Sequence, residues 1–316
     1  SVKKNCFWLP GIAQNADCEW GRYAMKDVPA FKTEKYMLSE KNYMARIKYE
    51  LKEYTDVRGN KTEITREWKD VDKEFRTDRD LGRQLGYKNF FENNLPPNIL
   101  AIKDPMEKGK AIYYFIQDHF NYNGKQRILT DIRVKEAFEE KVGNSSEINL
   151  SLINALEAAG LDAFIVLIST RDRALPTKGY PVLTDFNYAL ALLKIGDTNY
   201  LLDATSKFTP FAVLPYPALN KIGRVLDNKN GSYWIDILPK KKNVTYINAQ
   251  LIFTENNEVT GKVSETYVGY PAMEERKQIV KLGKEDHKKE KEKLTFDTTI
   301  NDFNIENLNN VAEKLK

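Results

Sequence analysis

Apolar residues recur at helical spacing through DPMEKGKAIYYFIQDHF (104–120), where Ile112, Phe115, Ile116 and Phe120 fall on one stripe. EWKDVDKEFRTDRDLGRQLG before it and IRVKEAFEEK after it carry the same period and predict helices. A fourth helix is predicted in KVGNSSEINLSLINALEAAGLDA (141–163), with Ile148, Leu152, Leu156 and Ala159 in register. Asn144 stands as its N-cap, Glu147 three residues on completes a capping-box pattern, and Gly160 is its stop.

The period then changes. AFIVLIST (163–170) is a continuous apolar run, as in a strand buried on both faces. FNYALALLKI (186–195) and NYLLDAT (199–205) flank Gly196-Asp197, a hairpin signal. Between the first and second of these runs lies a polar loop punctuated by prolines, 171–185. Helices followed by an antiparallel sheet predict an α+β fold. Residues 1–65 predict a β-rich segment: apolar residues alternate at Tyr43, Ala45, Ile47, Tyr49 and Leu51, before a turn at Arg58-Gly59-Asn60. Its abrupt start suggests a truncated domain. Past LPKKKNV (238–244) the chain again reads as β, with a hairpin around Asn256-Asn257 and a polar tail, 301–316, that closes no evident core. The division expected is 1–65, a core at 66–240, and a β-rich 241–316 that is itself incomplete.

Composition narrows the function classes. With 316 residues, 41% hydrophobic and 30% charged, the chain fits a globular protein of more than one domain. No apolar run approaches the roughly 18 residues of a membrane span, so no integral membrane segment is expected. The net charge of +4 comes from 49 basic and 45 acidic residues mixed along the chain, without the basic face of a nucleic-acid binder, so no nucleic acid is expected as a partner. The most basic stretch, 275–294, reads as a solvated helix or loop, and His287 within it as solvated. Two cysteines, Cys6 and Cys18, allow one bridge or two free thiols. With only His119 and His287 beside them, no metal site and no cofactor is expected. His119, near a helix end, reads as a C-terminal helix charge. Trp20, Trp68 and Trp234 among the aromatics point to no particular ligand.

A small polar residue at a helix N-terminus, followed by chemistry-bearing residues on two successive strands, is how a papain-like triad is assembled. The helix dipole lowers a thiol's pKa, a base stands on the first strand, and an Asp on the next orients it. GNSSEINLSLINALEAAGLDAFIVLIST, DFNYALALLKI and YLLDAT resemble the core of the bacterial transglutaminase-like superfamily over roughly 100–215, and MKDVPAFKTEKYM has the flavour of its flanking regions. The nearest likeness is to secreted multidomain members whose core lies between β-rich domains.

The resemblance implies a papain-like core and an extracytoplasmic place, periplasmic or at the cell surface. In the family pattern Gly-Asp/Asn-Cys, Gly143 and Asn144 match and Ser145 stands where the cysteine falls; Glu147 matches the acidic position. The histidine position falls on Tyr188 after Phe186-Asn187, and Asp203 matches the third member. A phenol with a reference pKa of about 10 is no base at neutral pH, and an adjacent carboxylate raises that value further. A helix dipole that activates a thiol does not bring an alcohol into range. The expectation is therefore a catalytically inactive domain in which Ser145, Tyr188 and Asp203 form a vestigial, hydrogen-bonded triad. It serves as a binding or scaffolding module for a peptide, glycopeptide or protein partner, held beside Asn144, Ser145, Ser146, Asn187 and Tyr188. Two alternatives are a Ser145-dependent amidase, peptidase or acyl transferase, and a purely structural module whose groove is filled.

Overall fold

The computed structural model describes residues 2–9, 14–19, 21–35, 37–45, 53–56, 58–63, 67–239, 242–256, 258–294 and 298–316. Two hairpins come first, β1 (Val2–Leu9) with β2 (Gln14–Glu19), and β3 (Glu53–Thr55) with β4 (Lys61–Glu63) around the expected turn at 58–60. Of the alternating strand expected at 43–55, residues 46–52 lie outside the described residues, as does Trp20, and nothing of the Cys6 or Cys18 side chains is described. Tyr43 is not in a strand: it ends a short 3-10 turn at Glu40–Asn42, capped by Ser39.

The helical layer follows as α1 (Trp68–Thr77), α2 (Lys88–Asn94), α3 (Pro97–Leu100) and α4 (Pro105–His119). Asp104 caps α4 by accepting from Glu107 N–H, and Pro105 occupies the first helical position, where no intrahelical donor is needed. After a two-residue strand, β5 (Asn121–Tyr122), come α5 (Val134–Glu140), β6 (Val142–Gly143), which pairs in parallel with β5, and α6 (Ser145–Ala158). Gly160 takes φ +79° at the end of α6, a left-handed conformation that glycine adopts without steric cost.

The sheet consists of β7 (Asp162–Ile168), β8 (Tyr188–Ile195), β9 (Thr198–Leu202), β10 (Lys221–Leu226) and β11 (Tyr233–Ile237). Its order is β11-β10-β7-β8-β9 and every neighbouring pair is antiparallel, so the fold is α+β as expected. Strand alternation divides its side chains between two cores. Ile165, Leu167, Ala189, Ala191 and Leu193 pack with Ile148, Leu152 and Leu156 of α6. Val166, Ile168, Tyr188, Leu190 and Leu192 pack with Leu214, Ala218 and Ile237 in the second core. All residues of α6 from Ser145 to Leu156 are buried, because α2, α4, α5 and the sheet all contact it.

Residues 241–316 are less purely β than the sequence suggests. The hairpin of β12 (Val244–Phe253) and β13 (Val259–Val268) leads into α7 (Tyr270–Leu282) and α8 (Lys284–Leu294). The charge-rich stretch is helical, as one of its two readings had it, but His287 is not solvated. It is buried, with Nε2 3.1 Å from Glu275 Oε1, and Lys291 Nζ reaches the same Glu275 oxygen and Glu265 of β13. The polar tail also closes a core. Leu315 is 1% exposed and packs with Ala272 and Ile279, while the buried Arg276 guanidinium donates to the carbonyls of Asn307, Leu308, Asn310 and Glu313. Polar composition concealed this because the partners of Arg276 are backbone oxygens, which any residue type supplies.

Candidate functional site

Four consecutive polar residues, Asn144 to Glu147, are buried at the start of α6 because each is bonded. Asn144 Oδ1 accepts from the N–H groups of Ser146 and Glu147, both at 2.9 Å, and Glu147 Oε2 returns a bond to Asn144 N–H at 2.7 Å, closing the capping box. The remaining groups meet the segment between β5 and α5, residues 124–133. Ser145 N–H donates to Lys125 O at 3.1 Å. Ser145 Oγ accepts from Arg127 N–H at 2.8 Å and donates to Arg127 O at 2.9 Å. Ser146 Oγ donates to Ile128 O, Asn144 Nδ2 to Leu129 O, and Glu147 Oε1 accepts from the N–H groups of Asp131 and Ile132. Asn144, Ser145 and Ser146 are 0% exposed.

Across the sheet edge, Tyr188 OH donates to Asp203 Oδ2 at 2.7 Å and lies 3.2 Å from Thr205 Oγ1. Asp203 Oδ1 accepts from Thr205 N–H at 2.9 Å and from Asn149 Nδ2 at 3.3 Å. Asn149, one turn along α6 from Ser145, also bonds Ala189 O and Ala204 N–H, and so ties the helix to both β8 and the chain after β9. Of the expected three-residue cluster only the Tyr188–Asp203 pair is formed, and Ser145 is not part of it. Tyr188 and Asp203 are bonded directly, whereas Ser145 has both of its hydroxyl partners on the backbone of Arg127. The strand parity explains the separation: Tyr188 faces the second core, and its hydroxyl reaches Asp203 from there.

Asn187, after Phe186, sits in a further polar group. Its Oδ1 accepts from Thr170 N–H, its Nδ2 donates to Thr170 Oγ1 at 2.7 Å, and Gln126 Oε1 stands 3.5 Å from both side chains. Residues 124–133 therefore run from the α6 N-terminus to the start of β8.

Burial shifts the titration of these groups. The Tyr188 phenol is pushed well above its ordinary value, first by burial and then by the Asp203 carboxylate. Burial also raises Asp203, against the pull of its bonds to Thr205, Tyr188 and Asn149. Tyr122, half-buried, is pushed up to about 12 by burial and by Asp203. His119 lies outside this group. It ends α4 as expected, but its ring stacks on Phe138 at 3.8 Å, Nε2 lies 2.7 Å from Phe138 O, and burial pushes its pKa down. A helix-end charge is therefore the wrong description, because partial burial favours the neutral ring.

The residues that the sequence reading passed over are Arg127, Tyr122, Asn149 and Thr205. Asn149 was the most legible, an amide at i+4 from Ser145 on a helix otherwise rich in apolar residues. Arg127 left no signal, since its contribution is backbone. Among the described residues no group of three His, Cys, Asp or Glu could hold a metal ion, and no helix is long and apolar enough to cross a membrane.

Residues 95–190 match the transglutaminase-like superfamily and form a transglutaminase-like domain. That span takes in Ser145 and Tyr188 and ends before Asp203. A crystal structure from Parabacteroides distasonis, described as a putative protease, aligns at 12% identity over 53% of this chain and 30% of its own, with a TM-score of 0.35. The alignment thus covers less than a third of that protein. No curated protein matches the sequence.

Proposed function

We propose that the chain is a catalytically inactive transglutaminase-like protein, in which Ser145 and Tyr188 replace the nucleophile and base of an ancestral triad and Asp203 is retained. The observation that carries this reading is the state of Ser145: fully buried, with its hydroxyl bonded twice to Arg127 and to no base. Tyr188 supports it, since a phenol held above its usual pKa and donating to Asp203 takes no proton from an alcohol at neutral pH. Loss of triad members typically costs about 10⁴- to 10⁶-fold in rate.

In this reading the protein is an extracytoplasmic binding or scaffolding module, periplasmic or at the cell surface, with a peptide or glycopeptide as ligand. The transglutaminase-like core of 66–240 stands between modules at 1–65 and 241–316. The resemblance of the sequence to secreted multidomain members supports both the location and the division. The test is a fluorophosphonate probe applied to the wild type and to Ser145→Ala at neutral pH. Equal, background labelling is expected. Labelling of the wild type that Ser145→Ala abolishes would establish a serine-dependent amidase, peptidase or acyl transferase instead.

A further inference from the structure

Asparagine followed by glycine occurs twice in the chain, at Asn123-Gly124 and at Asn230-Gly231. The pair has a chemistry of its own. The backbone nitrogen after an asparagine can attack the side-chain amide carbon, and glycine carries no side chain to hinder the approach. Both pairs are exposed, and both glycines have positive φ, +82° and +90°. By neighbouring residue alone the two asparagines should react alike. Their surroundings differ.

At Asn123 the carbonyl is the bonded end of the amide. Its Oδ1 accepts from Lys125 N–H at 3.0 Å, a turn that folds the side chain back over the Asn123–Gly124 peptide. That donor polarises the carbonyl, and it meets the oxygen on which negative charge collects when the carbon is attacked. Asn123 N–H is anchored on Gly143 O at 3.0 Å, which holds the residue from its other side. The Gly124 N–H has no hydrogen-bond partner among the described residues, and no atom lies within 4 Å of where a Gly124 Cβ would stand. The attacking nitrogen is therefore open to solvent.

At Asn230 the nitrogen is the bonded end. Its Nδ2 donates to Asp227 Oδ2 at 3.0 Å, and its backbone N–H donates to Asp227 Oδ1, also at 3.0 Å. The carboxylate holds the group that would have to leave, and it opposes a second negative charge beside it.

We propose that Asn123-Gly124 is a self-modification site, at which the chain deamidates through a succinimide to isoaspartate, and that Asn230-Gly231 is protected. The Gly124 N–Asn123 Cγ bond forms and the Cγ–Nδ2 bond breaks, with the Gly124 proton leaving in the ammonia. Water then opens either C–N bond of the imide, giving aspartate or isoaspartate at position 123. The products differ in consequence. Aspartate keeps the main chain and an oxygen for Lys125 N–H. Isoaspartate adds a methylene to the main chain directly after β5, where Asn123 N–H bonds Gly143 O and Tyr122 pairs with Gly143, next to the Asn144 cap.

The test uses the wild type, held at mildly alkaline pH either folded or in concentrated urea, with aspartate and isoaspartate at both positions quantified by peptide mapping. In the folded protein Asn123 is expected to convert at least about tenfold faster than Asn230, and in urea the two rates should converge. Equal rates in the folded protein, or a faster Asn230, would overturn the site. A preference for Asn123 that persists unchanged in urea would overturn its structural cause. The isoaspartyl fraction, separated chromatographically, is expected to melt at least about 2 °C below untreated protein, with Asn123→Asp melting alongside the untreated protein. An isoaspartyl fraction that melts with the untreated protein would overturn the effect on the fold.

Discussion

The first turn of α6 and the β12–β13 hairpin are opposites. At the helix, Asn144, Ser145, Ser146 and Glu147 are polar and buried, and each side chain is bonded. On the hairpin, Ile247, Leu251, Phe253, Val259 and Val263 are apolar and more than half exposed, with Phe253 at 78%. The register puts Phe253 opposite Val259 and Ala249 opposite Val263, so these side chains share one face of a two-stranded ribbon. Buried polar groups and exposed apolar faces are the informative departures from the usual partition. The first marks a site whose polar groups have been satisfied within the chain. The second marks a surface that contributes little to the stability of the described fold.

The strongest way to break this contrast is Glu147→Ala. The carboxylate accepts from three backbone N–H groups at 2% exposure, and its loss leaves all three without an acceptor. Urea unfolding is expected to show a loss of about 3 kcal/mol or more, and an effect under 1 kcal/mol would mean that the freed N–H groups re-pair with water. Tyr188→Phe is smaller. It removes a donor from buried Asp203 while keeping the ring's packing, at about 1–3 kcal/mol by the same measurement. Phe253→Ser on the hairpin should stay within about 0.5 kcal/mol, and a larger loss would mean that this face is covered in solution.

The smallest effect is in pH. His119 titrates lower in the folded state than its ordinary 6.5, so the unfolded chain takes the proton first. The stability tied to its neutral ring is fully present above about 6.5 and falls away as pH drops through the folded value. Comparing the melting temperature of the wild type and His119→Gln from pH 8 to pH 5 should show a shallower acid loss in the variant. Parallel curves would remove His119 from the account.

Much of this is legible in the sequence. The periods of 104–120 and 147–159, the cap at Asn144, the stop at Gly160 and the turn at Gly196 gave α4, α6 and the β8–β9 hairpin, because each is written in side chains. The same is true of Tyr188 and Asp203, whose strand positions brought them within hydrogen-bond reach. Strands β10 and β11 were not anticipated. Neither were the bonds from residues 124–133 to the first turn of α6, nor the tail packed around Arg276, and those two share a cause. Their bonds run to carbonyls and N–H groups, which composition does not encode. Ser145 was placed at the right end of the right helix, but its partner came from a segment that contributes only backbone.

The central claim is that position 145 is sealed and chemically silent, and a thiol reports on it directly. In a Cys6→Ser/Cys18→Ser background, Ser145→Cys would be treated with iodoacetamide and its alkylation rate compared with that of glutathione at the same pH. The account predicts alkylation at least about 100-fold slower, accelerating as urea unfolds the protein. Alkylation as fast as the free thiol, in folded protein and without denaturant, would contradict it.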